Sequence, residues 1–568
     1  MKRSTAWTVF ALVALVLGVL FFWPLWRVVG GGFWVDGEFT LRYLAGVFEN
    51  PVYVEGLLNS LKIALGTTGL CMCVALPLAW IANQFDFRGK SLFSALVLVP
   101  MILPPFVGAI GFQQIFGAYG LVNSLFGLGA RDWLGGGQYL GVVLLQTLSL
   151  YPILYLNAVA SLANIDPAMD EAAANLGCRR LRRFWRITMP LMMPGLFAGG
   201  TLIFIWSFTE LGTPLIMNYT RCAPVQVYDS LKEIGSNPFP YALVVVMLVA
   251  GTGLYGIGRW LFGGKAYAMQ SKASVQASAK RLTGLRGLLA ALPFALVTGL
   301  ALLPHFGVIL TSFAEPGSWY ATILPANWTG GNYIAALGHE MTVSSIRNSL
   351  LFSSLAVCFD VVAGVAIAFV VVRSDIRLRG VLDALSMVPL AVPGLVMAFG
   401  FLSVSSWLAN LPCAADWSWW SKVFDVRTNP TLFLVLAYSV RRMPYMVRSA
   451  VAGLQQTSVT FEEAAWNLGA SPATTLRRIT LPLILANLIA GTLLTFAFSM
   501  LEVSDSLMLA QQADYMPITK AIFELFQLLG TGRYVAAALG VWAMAFLTVT
   551  LVGSSLLLGK KLGAVFRV

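Results

Sequence analysis

The sequence predicts an all-α, polytopic membrane protein of about twelve transmembrane helices, arranged as two parallel six-helix repeats. Three observations carry this prediction: a composition too apolar for a wetted surface, a series of apolar runs of spanning length, and a loop motif that occurs twice. Of 568 residues, 58% are hydrophobic and only 11% are charged, with a mean hydropathy of +0.78. A soluble domain carries about 25% charged residues to keep its surface hydrated. The apolar content excludes intrinsic disorder, and six scattered Cys exclude a secreted disulfide scaffold. The formal charge of +12 is better placed in cytoplasmic loops facing anionic lipid than on nucleic acid.

Apolar runs of about 20 residues lie near 7–29, 56–82, 91–116, 138–162, 190–217 and 240–263, then near 287–312, 346–372, 380–408, 429–453, 481–511 and 534–559. The first run follows Lys2 and Arg3, as in a signal peptide, but it is long and lacks a convincing small-residue cleavage site, so it reads as a retained helix. With the N-terminus inside, the cytoplasmic segments hold 22 Lys and Arg, the opposite loops 8, and the spans 7. The positive-inside rule then puts both termini in the cytoplasm. The stretch 264–286, GKAYAMQSKASVQASAKRLTGLR, is polar and basic. It separates two halves of similar design, 1–263 and 287–568.

The duplication is visible directly. Glu171 to Pro190 reads EAAANLGCRRLRRFWRITMP, and Glu463 to Pro482 reads EAAWNLGASPATTLRRITLP. Both follow E-A-A-x-N-L-G, nine residues, I-T-x-P, at an ungapped offset of 292. Asn59-Ser60 answers Asn348-Ser349, Arg88-Gly89 answers Arg379-Gly380, and Pro100, Pro104 and Gly111 answer Pro389, Pro393 and Gly400. Six spans return the chain to its starting side, so the two copies share one orientation and are expected to flank a pathway. Within the repeated loops, 163–189 and 455–481, Glu-Ala-Ala opens a short helix whose small residues admit a partner surface. Gly177 and Gly469 permit a left-handed turn or a close backbone contact. Pro190 and Pro482 are expected to start the next span, where their missing N–H is tolerated. A helix-turn-helix of this kind could merely cap the bundle; two matched copies read better as docking sites for two copies of a partner.

These residues resemble the EAA loop of permease subunits of binding-protein-dependent ABC importers: E-A-A, three residues, Gly, nine residues, Ile, one residue, Leu-Pro. The second copy fits fully, and the first departs only at Met189. Two fused six-span copies are similar to the ferric-iron and thiamine permease group. The resemblance implies a type I importer fold in the bacterial inner membrane. It implies two copies of an ABC ATPase that bind ATP and Mg, and a periplasmic or lipid-anchored solute-binding protein. Coupling would run through Glu171, Ala172, Ala173 and Gly177, and through Glu463, Ala464, Ala465 and Gly469. Ferric iron is the leading solute on this ground alone; thiamine, phosphonate, sugar phosphate and polyamine are alternatives.

No cofactor is expected in this chain and no catalysis by it. A P-loop requires G-x4-G-K-[ST], and the only Gly-Lys-Ser or Gly-Lys-Thr, Gly89-Lys90-Ser91, has Gln84 at the first Gly position. No metal site is expected either, because His305 and His339 lack ligand partners at useful spacing and Cys71-x-Cys73 sits in an apolar run. A secondary transporter with six-plus-six repeats is the alternative of another class, and the paired EAA loops weigh against it.

Ionisable residues at membrane depth mark candidate pathway positions. Glu210 and Glu502 are equivalent in the fifth spans; Asp505 follows Glu502 by one helical turn, and its counterpart is Thr213. Pro214 and Gly212-Thr213 suggest a helix break there. Arg441 and Arg442 replace Ser149 and Leu150 of the first repeat. They could meet an anionic solute, pair with Glu502, Asp505 or Asp360, or lie near water if their span begins later.

Overall fold

The protein is described from a computed structural model, which covers residues 3–35, 37–101, 104–134, 138–233, 237–262, 280–412, 414 and 417–558. Helices dominate it, as a bilayer demands: hydrocarbon offers no partner for a backbone N–H or C=O, so each span must satisfy its own. The twelve expected spans all overlap a helix or a broken pair, but the third, expected at 91–116, falls on the short helix Lys90–Met101 and the first half of the spanning helix Pro105–Phe126. Among the described residues, nine helices are long and apolar enough to cross a membrane. The other three differ. Arg379–Ala391 and Gly394–Ala409 form an apolar pair bent by 97°, and Phe239–Phe262 is a helix of 24 residues. Thr431–Gln456 has the length, at 26 residues, but carries Arg441, Arg442 and Arg448.

Prolines set the irregularities. In the bent pair Val392 is extended (ψ 129°) and Pro393 opens the next helix, because a residue before proline is pushed out of the α region. Pro104 and Pro105 similarly begin Pro105–Phe116 in the first repeat. Pro190 and Pro482 do not begin their spans as the sequence suggested. The helix arrives from upstream through single π-turns, Phe184–Thr188 and Leu476–Thr480. The widened turn shifts the hydrogen-bond register, and a residue without an N–H then fits inside a continuous rod.

Two compact units form. Among the described residues, one comprises those of 3–53, 226–248 and 333–558, and the other those of 54–225 and 249–332. Their composition differs from the linear division at 264–286, because the first span of each repeat packs with the later spans of the other. Ala6, Val13 and Leu17 share a core with Ile367, Met446 and Val447. Phe294 and Ala301 share one with Leu78, Tyr151 and Tyr155. The repeated glycines of the third spans explain the exchange. A side chain on Gly111 would overlap the backbone of Pro304, Gly307 and Val308, and one on Gly400 would overlap the backbone of Pro24 at 2.9 Å. Close backbone approach at small residues is the usual way membrane helices gain contact.

Of the linker 264–286, residues 264–279 lie outside the described residues. Its last part is tied down: Lys280–Arg281 pairs in parallel with Phe85–Asp86, and the Leu282 N–H donates to the Asp86 carbonyl at 2.7 Å.

Gly111→Leu should therefore lower the melting temperature, since overpacking a close contact costs about 1–3 kcal/mol or more. Gly299→Leu, where a side chain meets open space, should be tolerated. Thermal unfolding of the two detergent-solubilised variants checks this; equal melting temperatures would refute the crossing.

Candidate functional site

The two EAA loops fold alike. In the first, Asp166 caps the helix Pro167–Asn175 by accepting from the Ala168 N–H at 2.9 Å. The second forms the helix Thr460–Asn467. Both stop on the same pair of backbone bonds. Cys178 N–H donates to Ala173 O at 3.0 Å and Gly177 N–H to Ala174 O at 2.9 Å; Ala470 N–H donates to Ala465 O at 3.0 Å and Gly469 N–H to Trp466 O at 2.9 Å. This is the Schellman arrangement, which needs a left-handed residue at its end. Gly177 (φ +77°) and Gly469 (φ +84°) supply it. No atom lies within 4 Å of where a Cβ would stand at either glycine, so the turn, and not a close contact within the chain, decides the residue.

The two alanines of each motif face opposite ways. Ala173 and Ala465 are buried, anchoring the helix to its own unit, while Ala172, Ala464 and Glu463 are exposed. The side chain of Glu171 lies outside the described residues. Beside the exposed alanines stand Leu176 and Leu468, at 88% and 89% exposure, leucines at equivalent positions of the motif. The sequence reading passed over them because a leucine beside a turn is unremarkable until its exposure is known. It also missed Glu462, which is buried beside the exposed Glu463. Its Oε1 accepts from Arg373 Nε at 3.1 Å and from Thr480 Oγ1 at 3.3 Å. The repeated threonine of I-T-x-P was the available signal.

The fifth spans break at equivalent points. The first runs to Thr209, and a short helix resumes at Gly212–Ile216. Glu210 holds the break by accepting from the Thr213 N–H at 3.0 and 2.9 Å with its two oxygens. Gln146 donates to Glu210 at 3.4 Å and accepts from Ser207 and from Thr67. The second stops at Met500 and resumes at Ser504–Leu509, although no Gly or Pro marks it. Here the carbonyl of Glu502 accepts from Ser506 Oγ at 2.6 Å and Thr519 Oγ1 at 2.7 Å. Tyr438, at the position of Gln146, shares a 2.7 Å bond with Ser506.

Charge replaces amide in this second repeat. Arg441 and Arg442 both pair with Glu502, and Arg441 also reaches Asp505 at 3.3 Å. Arg442 lies over the Phe498 ring at 5.3 Å. Both arginines sit well inside the helix Thr431–Gln456. Asp360 is buried, and its oxygens find no hydrogen-bond partner among the described residues. The Arg441 guanidinium rests on Gly394, where any Cβ would collide with it. One arginine thus fixes the fifth-span break against the bend of the third span. Among the described residues, no group of three or more His, Cys, Asp and Glu comes together as a metal ion would need.

The Asn-Ser pair of each second span is explained too. Asn59 donates to the Arg221 carbonyl at 2.8 Å and Ser60 accepts from the Ala223 N–H at 3.0 Å. Asn348 donates to the Asp514 carbonyl at 2.7 Å and Ser349 accepts from the Ile518 N–H at 2.7 Å. Each pair pins the segment that follows the broken fifth span.

The family described as binding-protein-dependent transport system inner membrane component matches residues 75–263 and 360–556. The chain belongs to that family. Each matched stretch holds one EAA loop and one broken fifth span, so the permease contains the domain twice. The ferric transport system permease protein FbpB of Actinobacillus pleuropneumoniae is 25% identical over 89% of this chain and 72% of its own. A putative ferric transport permease FbpB of Haemophilus influenzae is 26% identical over 82% and 70%. A putative 2-aminoethylphosphonate transport permease, PhnU, of Salmonella choleraesuis is 31% identical over 45% of this chain and 92% of its own. The protein is a multi-pass inner-membrane permease of an ABC importer, with the all-α, two-repeat architecture its sequence predicted.

Arg441→Leu should lower stability by about 3–5 kcal/mol, the usual cost of leaving a buried charge unpaired. Arg441→Leu/Asp505→Leu should recover part of that loss. A double-mutant cycle on thermal unfolding measures the coupling, and simple additivity would contradict the pairing.

Proposed function

We propose that this permease imports ferric iron delivered by a periplasmic or lipid-anchored binding protein, driven by two copies of a separate ABC ATPase. The observation that carries the ATPase part is the pair of EAA helices, each presenting an exposed leucine, Leu176 or Leu468, beside an exposed alanine. A single exposed leucine is ordinary on a surface; its recurrence at the same motif position in both loops, each time beside an exposed alanine, is what suits a surface covered by two copies of a partner. On this reading Ala172, Ala464 and Glu463 meet the ATPase, with Glu171 at the matching place in the first repeat. Ala173, Ala465, Gly177 and Gly469 hold the helices in shape. ATP and Mg belong to the ATPase, and this chain needs no cofactor. The loops face the cytoplasm, as do both termini, in keeping with the basic residues of 163–189 and 264–286.

Iron as cargo is supported by the names of the two relatives that align with most of the chain. The phosphonate relative aligns with less than half, and phosphonate, thiamine, sugar phosphate and polyamine remain the competing cargoes. We further propose that Glu210, Thr213, Glu502, Asp505, Arg441 and Arg442 border the passage by holding the fifth-span breaks open. The carboxylates of Glu210 and Glu502 are occupied with N–H groups and guanidinium, which favours shaping the passage over coordinating what moves through it.

The complex purified from its native membrane should contain two ATPase copies per permease. Leu176→Asp/Leu468→Asp, and bulky residues at Gly177 and Gly469, should reduce the co-purified ATPase at least tenfold. Cells with the intact permease should accumulate ferric iron in an ATP-dependent way. A chain that purifies alone and transports without ATP would establish the secondary transporter instead.

A further inference from the structure

The helix Glu340–Arg373, the second span of the second repeat, is bonded at both ends to elements that the chain does not make contiguous with it. At one end Arg373 forms a fork. Nε donates to Glu462 at 3.1 Å and Nη2 donates to the Thr457 carbonyl at 2.9 Å. The arginine and glutamate side chains are 7% and 4% exposed, and Thr480 adds a bond to the same carboxylate oxygen. Glu462 lies on the EAA helix Thr460–Asn467. Toward the other end, Asn348 and Ser349 hold the Asp514 carbonyl and the Ile518 N–H, just beyond the broken fifth span. About 38 Å of helix separates the two attachments, at 1.5 Å per residue. A continuous α-helix is stiff over that length and passes an axial displacement from one end to the other.

The spans flanking the EAA loop in sequence, Thr431–Gln456 and Leu481–Met500, must follow it through the backbone. Glu340–Arg373 has no such backbone connection; it packs against Thr431–Gln456, and the ion pair ties it to the EAA helix itself. The first repeat keeps the far attachment, Asn59 and Ser60 on Arg221 and Ala223. At the near end it has Asp170 and Thr188 in place of Glu462 and Thr480, yet Ile81–Gln84, which close the corresponding span, include no basic residue.

We propose that Arg373 and Glu462 are positioning residues that make Glu340–Arg373 a push-rod. It carries movement of the second EAA helix to the segment Asp514–Ile518. The inference rests on the reading of the EAA helices as ATPase-docking elements. A buried ion pair suits this role because breaking one side leaves an uncompensated charge, so the two ends separate only at a high cost.

The test is hydrogen–deuterium exchange on the complex purified with its ATPase, with and without ATP plus vanadate. In the wild type, nucleotide should change exchange in 460–467, in 366–373 and in 514–520. In Arg373→Met/Glu462→Met, where an apolar pair replaces the charges, the change at 460–467 should persist. At least half of the change at 366–373 and 514–520 should be lost. Glu462→Gln, which keeps an acceptor for both donors but leaves the Arg373 charge uncompensated, should restore part of it. An unaltered spread in the double variant would overturn the proposal, as would failure of Glu462→Gln to restore any. If the double variant does not assemble, Thr480→Val, which removes one neutral bond, should give a smaller loss at the same peptides, and no loss would refute the joint. A wild-type complex whose 460–467 peptides ignore nucleotide would overturn the docking reading, and this inference with it.

Discussion

An unpaired backbone group in hydrocarbon is the costliest local fault a membrane helix can carry, and the irregular parts of this permease are organised around avoiding it. Each fifth span is broken, and each break is closed by polar groups of its own segment together with one from a neighbouring helix. In the first repeat one carboxylate, Glu210, accepts from Thr213 N–H, steadied by Gln146. In the second, hydroxyls of Ser506 and Thr519 bond to the Glu502 carbonyl, while the Glu502 side chain is given to Arg441 and Arg442. The π-turns before Pro190 and Pro482 solve the same problem by register shift instead of by a side chain. Closing a break this way gives its backbone groups partners without restoring the helix.

The two repeats reach one backbone course by different chemistry. A neutral amide network in one and a four-residue charge cluster in the other support equivalent breaks, and the cluster also seats Arg441 on Gly394 at the third-span bend. The charged version couples more elements, since a guanidinium fork bonds several acceptors at once. The same asymmetry recurs at the loop end, where Arg373 has no basic counterpart in Ile81–Gln84. A duplicated permease fused in one chain can let its halves diverge in this manner, because each half always meets the same partner half.

Much of the function was legible in residues. The EAA motif, its 292-residue repeat and the absence of a P-loop pattern led to the importer family without any coordinates, because these features are local in sequence and fixed by chemistry. The paired glycines were legible in kind: a left-handed residue was expected and found. The break at Gly212 was foreseen from Gly and Pro. The equivalent break at Leu501–Val503 was not, since nothing in those residue types disfavours a helix and tertiary partners impose it. Glu462 was hidden by its neighbour, for two adjacent glutamates on a helix look alike until one is buried and the other is not.

The sequence by itself determined the membrane class, the approximate places of the spans, the duplication and the repeated EAA loops, because hydropathy and short motifs act over a few residues. Tertiary structure alone decided that each first span joins the other repeat's core, that Gly111 and Gly400 exist for those crossings, and which carboxylate each arginine meets. Those outcomes depend on contacts between residues hundreds of positions apart, where backbone proximity and burial, and not local preference, set the energy.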